Sequence, residues 1–236
     1  MKIEMHVHTS NVSPCSKMPA EILAKELYKA GYGAAVLTDH FNDYVLDNFA
    51  GSKLDKVDRY LEGYRIVSEH GEKIGLKVFL GVEVCLLTTG GWDDFLIYGI
   101  DEDFLIDTPT LYNLTQEELY HAVDSYGGLV YQAHPFRMGC RPLNPYYIHG
   151  VEVHNGSNNN NEENIRAFKW ASEYSHLKWI SGSDAHEIDK IDTGGIIVPE
   201  DENIYDSKSL AKYLKNNRVE LIKESENGYI TVKSPK

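Results

Sequence analysis

Long apolar runs are missing from this chain, and no stretch reaches the length of a membrane-spanning helix. The opening segment MKIEMHVH also lacks the basic and apolar regions of a secretory signal, so the cytoplasm is the expected compartment. Positive charge is scarce: 23 lysines and arginines face 36 aspartates and glutamates, for a formal net charge of −13. A field of that sign repels phosphates, so no general affinity for nucleic acid or anionic membranes is expected, and an anionic substrate must find local positive charge. Cysteine is sparse too. Cys15, Cys85 and Cys140 are an odd number without framework spacing, which fits reduced thiols rather than disulfides. No internal repeat or linker interrupts the chain, and Asn158 to Asn161 reads as a polar loop leading into a helix. With 236 residues and 42% hydrophobic content, residues 1–236 are expected to form one domain.

Strands and helices take turns along the sequence. Lys2 to Val7 alternates apolar and polar residues; Pro19 then opens a segment in which Ile22, Leu23, Leu27 and Ala30 recur at helical spacing before Gly31. Ala34 to Leu37 reads as a short buried strand, followed by a long amphipathic helix carrying Leu54, Val57, Leu61, Tyr64 and Val67. Further strands are expected at Val78 to Val84, Phe95 to Ile100, Leu129 to Ala133, Val151 to Val153, Trp179 to Ser181, Ile196 to Val198 and Val219 to Ile222. Thr115 and Glu118 have capping-box spacing ahead of another helix, and helices are also expected near Glu162 to Tyr174 and Leu210 to Leu214.

This alternation points to a parallel sheet covered by helices, either open or closed. The placement of polar residues favours closure. His6 and His8, His40, Glu83, His134, and Asp184 with His186 each end a predicted strand. In a closed barrel those ends form one ring and their side chains converge. His6 and His8 are two apart, so on a strand both imidazoles face one side and can reach one cation.

The motifs HVHTSNVSPCS, LTDHF, GVEV, AHPFR, VEVHNG and SGSDAH, in this order, resemble those of the PHP (polymerase and histidinol phosphatase) family of metal-dependent phosphoesterases. The resemblance implies a distorted seven-stranded (β/α)7 TIM-like barrel holding two or three divalent ions, zinc, manganese or iron. It also implies that His6, His8, Glu83 and Asp184 hold one metal, that Glu83 bridges to a second bound by His134, and that His40 and His186 hold a third. The sequence departs from the commonest pattern at Cys15, near where some relatives have a histidine, and at Asp94, where a histidine often stands. Both are candidate ligands, a thiolate suiting zinc or iron better than magnesium.

Mixed imidazole and carboxylate ligands leave a bound cation with positive charge to spare, so a bridging water can become a hydroxide nucleophile near neutral pH. The expected function is hydrolysis of phosphate esters, with small phosphomonoesters as substrates and Glu83, Asp184 and His186 as catalytic groups. Lys17, Arg137 and Arg141 are candidates to grip phosphate, and Asn155 to line the pocket. Asp39 is expected to orient a ligating histidine. His70, His121 and His176 fall within or beside predicted helices and His149 precedes a strand, so all four read as structural; His154 ends another strand, but the resemblance implies a non-ligand there. Most of the 16 tyrosines are packing residues, with Tyr44, Tyr98 and Tyr131 candidates to shape the pocket. The alternatives are a PHP-type module that binds metal without catalysis, and an amidohydrolase-like enzyme cleaving C–N or carboxyl ester bonds. No lysine stands at a mid-barrel strand end, as that chemistry often requires.

Overall fold

The computed structural model describes residues 1–158, 161–225 and 228–234. In chain order the elements are β1 (Lys2–Glu4), α1 (Ala20–Lys29), β2 (Ala34–Leu37), α2 (Asp43–Leu46), α3 (Lys53–Ile74), β3 (Lys77–Leu80), β4 (Val82–Cys85), β5 (Asp94–Tyr98), α4 (Glu102–Asp107) and α5 (Gln116–Tyr126). They continue with β6 (Leu129–Gln132), β7 (Gly150–Asn155), α6 (Asn161–Ser172), β8 (Lys178–Gly182), β9 (Ile196–Ile197), α7 (Ser207–Asn216), β10 (Glu220–Ser225) and β11 (Gly228–Lys233). Of the polar run before α6, Asn159 and Asn160 lie outside the described residues.

Local chemistry accounts for the helix ends. In α3 the Ser52 side chain accepts from the Asp55 amide while the Asp55 carboxylate accepts from the Ser52 amide, and Thr115 and Glu118 do the same at α5. Both helices stop at glycines with positive φ, Gly75 and Gly127. In α1 the buried residues Ala20, Leu23, Ala24 and Leu27 form the helical stripe that packs with Val67 of α3 and Ala35 and Leu37 of β2.

The strands form two sheets, not the single closed ring expected. One runs β11-β10-β9-β1-β2-β3, the other β4-β5-β6-β7-β8. The predicted strand Val78 to Val84 is divided at Gly81. Before it, β3 pairs parallel to β2; after it, β4 pairs antiparallel to β5. A side chain at Gly81 would bring its Cβ to 2.7 Å from Val36 Cγ1 and 2.9 Å from Ile97 O, so the chain changes sheets where only glycine fits. The link from β4 to β5 contains one short 3-10 turn, too little for a parallel crossover, and β5 also runs antiparallel to β6. The sheets meet at two isolated parallel bridges, Val7 with Ala185 and His40 with Glu83. Tyr98 and Tyr131 prove to be core residues, their rings 5.4 Å apart, with the Tyr98 hydroxyl donating to Met5 O below the first histidine. Tyr44 is exposed. Among the described residues no helix is long and apolar enough to cross a membrane.

Gly81→Ala is expected to cost about 1–3 kcal/mol through overpacking, read as a lower urea midpoint with unchanged slope. An unchanged midpoint would show that the junction accommodates a side chain.

Candidate metal centre

The two bridges fix the site's frame. Asp184 N donates to His6 O (2.7 Å) and His8 N to Ala185 O (3.3 Å), locking the end of β1 to the end of β8. Glu83 N donates to Asp39 O (3.1 Å) and Phe41 N to Glu83 O (2.7 Å), locking the end of β2 to β4. Residues from separate sheets thereby face one another. Glu83, 1% exposed, stands at the centre. Its Oε1 lies 2.9 Å from His134 Nε2 and 3.2 Å from His6 Nε2; its Oε2 lies 2.9 Å from His40 Nδ1 and 3.3 Å from His8 Nε2. Asp184, equally buried, has Oδ1 3.1 Å from His8 Nε2 and 3.4 Å from both His6 Nε2 and His186 Nδ1.

The electrostatics of this cluster call for cations. His6 Nε2, His8 Nε2, His40 Nδ1, Glu83 Oε2 and Asp184 Oδ1 are buried without a hydrogen-bond partner. Leaving that many polar atoms unsatisfied is costly unless something positive lies among them. Burial works against ionised carboxylates, yet His6 and His40 hold Glu83, and His6 and Arg137 hold Asp184, well below the usual carboxylate range. Burial also opposes charge on His6, but Asp184, Glu83 and Glu152 raise it well above the usual histidine value. His8 is pushed well below that value by burial and by His40 and His186. Imidazoles and carboxylates with free lone pairs converging on shared points form a donor set that fits divalent cations. The ligating atoms group into overlapping sets: His6 with His8 and Glu83, His6 with His134 and Asp184, and His8 with His40 and His186.

A second layer positions these groups. Glu152 is buried in β7; its Oε1 lies 2.9 Å from His6 Nδ1, and its Oε2 accepts from His134 N (3.0 Å) and Asn155 Nδ2 (2.9 Å). It thus orients His6 in the manner of a carboxylate–histidine–metal triad. Glu4 Oε1 accepts from the amides of Met5, His6 and Ser183, fastening the strand ends that carry His6 and Asp184. Neither carboxylate is among the sequence-derived candidates, although each interrupts an apolar strand, KIEM and VEV, at an inward position. Asp39 is one residue removed from the imidazoles: it accepts from Thr9 N, Thr9 Oγ1 and Ser13 Oγ, all at 2.7 Å, and Ser13 Oγ lies 3.4 Å from His8 Nδ1. At Gly182 a Cβ would lie 2.4 Å from His6 Cβ, so glycine lets β8 approach the first histidine. His134 (φ 23°) and Asp184 (φ 51°) occupy positive-φ backbone, strain that the surrounding bonds maintain.

The outer ends hold the departures from the family pattern. Cys15 Sγ lies 3.1 Å from His186 Nε2; burial raises its pKa, but hydrogen bonds from His186 and His40 bring it down to about 6. Asp94 Oδ2 is 3.9 Å from His134 Nε2, and burial with the nearby Glu83 raises its carboxyl to about 6. Arg137 Nη2 donates to Asp184 Oδ2 (2.6 Å) and Asn155 Oδ1 (2.8 Å), while Asn155 Nδ2 reaches Asp184 Oδ2 at 3.1 Å. Arg141 instead secures a loop: its amide donates to Asp93 Oδ1 and its Nη2 to Thr89 O. Lys17, with its side chain 75% exposed, pairs with Glu187 at 2.6 Å. His154 Nε2 lies 3.0 Å from Thr193 O, and His149 lies between Val130 N and Asp124, both apart from the cluster.

No family model matches the chain, and no curated protein matches it. Solved structures do. A two-domain protein from Bacteroides vulgatus containing a predicted PHP-like metal-dependent phosphoesterase aligns with TM-score 0.68 and 18% identity, over 94% of this chain and 64% of that one. PsfC from Pseudomonas syringae aligns with TM-score 0.62 and 16% identity, over 89% and 87% of the two chains. The lesion-specific endonuclease PfuEndoQ from Pyrococcus furiosus aligns with TM-score 0.61 and 15% identity, over 91% of this chain and 55% of that one. The chain thus spans about two thirds or less of the first and third of these. At such identities the likeness carries the fold, and it agrees with the motifs: the chain shares the fold of PHP-like metal-dependent phosphoesterases.

Proposed function

We propose that this protein is a metal-dependent hydrolase of phosphate esters, acting on small phosphomonoesters. The observation that carries the reading is Glu83: a carboxylate 1% exposed whose two oxygens each face two imidazoles, amid buried atoms without a hydrogen-bond partner. In this reading His6, His8, Glu83 and Asp184 hold one ion, Glu83, Asp94 and His134 a second, and Cys15, His40 and His186 a third, with zinc, manganese or iron as occupants. Bound divalent cations would supply a water nucleophile at neutral pH and neutralise charge on phosphoryl oxygens.

The chain's own residues divide the remaining work. Arg137 holds the outer oxygen of Asp184, which keeps Oδ1 turned to the imidazoles, and its fixed charge stands where an anion must arrive in an otherwise acidic protein. Asn155 steadies the same pair. Of Glu83, Asp184 and His186, only His186 is open to solvent, with a quarter of its side chain exposed. In this reading all three act by holding cations, the two carboxylates from within the cluster and His186 from its exposed rim. The net charge of −13 favours a small substrate over a polyanion. The likeness to an endonuclease makes a duplex carrying an abasic site a necessary comparison.

Two outcomes are expected. Chelated protein reloaded with each metal should release phosphate from members of a monoester panel faster than it cleaves diesters, lesion-bearing duplex, amides or carboxylic esters. His8→Ala and Asp184→Ala should lose more than the roughly 10–100-fold typical of outer-layer changes. Wild-type activity no greater than both variants on every substrate and metal would contradict the hydrolase. Separately, Glu152→Gln should weaken metal binding about 10–100-fold by calorimetry while circular dichroism stays unchanged. Unaltered affinity would remove Glu152 from the metal-orienting layer.

A further inference from the structure

We propose that Cys140 is a thiolate ligand at the Asp94–His134 end of the cluster, giving that end the chemistry of zinc or iron(II). The proposal rests on the metal-centre reading above and adds a ligand outside the residues that the motifs bring in. Ligating atoms of Asp94, His134 and Cys140 all lie within 4.8 Å of one another, and they come from the first residue of β5, the end of β6 and the loop beyond it. His134 links them: its Nε2 faces Glu83 Oε1 and Asp94 Oδ2, and its Nδ1 lies 3.8 Å from Cys140 Sγ. A further buried atom points to a ligand beside this group. His6 Nε2, fully buried and without a hydrogen-bond partner, faces the same Glu83 oxygen at 3.2 Å.

The loop that presents Cys140 is anchored. Cys140 N donates to Arg137 O (2.8 Å), Trp92 N to Gly139 O (3.4 Å), and Arg141 N to the fully buried Asp93 (2.9 Å), while the Arg141 guanidinium reaches Thr89 O. Gly139, at φ 92°, supplies the turn that a side-chain-bearing residue would resist. Arg141 therefore serves to hold the thiol near Asp94, a use of its charge that the sequence alone does not suggest. The Cys140 thiol donates to Trp92 O at 2.9 Å, and ligation would exchange its proton for the cation. Carboxylates, an imidazole and a thiolate suit zinc or iron(II); magnesium and manganese favour oxygen donors. With Cys15 beside His186, sulfur then stands at both outer ends, leaving the His6/His8 position with nitrogen and oxygen alone.

Cobalt(II) provides the test, because thiolate ligation adds a sulfur-to-metal charge-transfer band in the near ultraviolet that is independent of turnover. In a Cys15→Ser, Cys85→Ser protein, Cys140 is the only thiol left. Cobalt added to the chelated protein should produce that band; further substitution Cys140→Ser should abolish it while the visible d–d bands of the remaining sites persist. Cys140→His should retain cobalt stoichiometry without the sulfur band, which separates loss of a ligand from loss of the fold. X-ray absorption of the zinc-loaded Cys15→Ser, Cys85→Ser protein should likewise show a sulfur scatterer. Visible cobalt bands without charge transfer in the Cys140-only protein, or no sulfur near zinc, would overturn the proposal and leave the metal centre standing. Failure of wild-type protein to bind cobalt or zinc at all would overturn both.

Discussion

Glu83 is a carboxylate shut off from water, and an ion in that position is tolerated only where other charges compensate its lost hydration. Four imidazoles crowd its two oxygens, and Asp184, a second buried carboxylate, faces three of the site's histidines. The neighbouring carboxylates raise His6, while burial, His40 and His186 drive His8 toward its neutral form, and ring nitrogens of His6, His8 and His40 remain without a hydrogen-bond partner. Much of the surrounding structure serves to hold this cluster together. The seams between the two sheets run through it, with Val7–Ala185 and His40–Glu83 as the bridging pairs. Backbone bonds that elsewhere would merely extend a ladder here set the distances among candidate ligands.

That arrangement carries local costs. His134 and Asp184 take positive φ, and Glu4 sits fully buried with a carboxyl raised by desolvation. Glycine is needed at Gly182 for β8 to pass the first histidine. Such features concentrate where function over-determines the backbone. Glu152 connects His6 to the His134 backbone and to Asn155, and through Asn155 to Asp184 and Arg137.

The residues that converge were legible because each ends an apolar run with a group such runs seldom contain. His6, His40, Glu83, His134 and Asp184 stand out against Val, Leu, Ala and Ile in a way that periodicity makes visible. Ala34–Leu37 was recovered with its observed bounds, and the capping box at Thr115 formed as its spacing implies. The closed barrel was not recovered. Val78 to Val84 reads as one strand because nothing in its apolar pattern reveals that Gly81 hands the chain from one sheet to the other. Glu4 and Glu152 do not stand out, since an acidic residue inside a short strand looks like ordinary alternation until its neighbours are known. Arg141 and Cys140 lie in a loop without periodicity, and their roles depend on contacts with Thr89, Asp93 and Asp94, distant in sequence.

The account stands on Glu83 as a ligand shared between cations. Metal content per chain, measured on chelated protein after equilibrium dialysis against zinc, tests this most directly when wild type is compared with Glu83→Gln. Wild type should bind more than one zinc per chain, and Glu83→Gln, folded by circular dichroism, should bind fewer. Equal zinc content in the two proteins, or one ion or none in wild type, would contradict it.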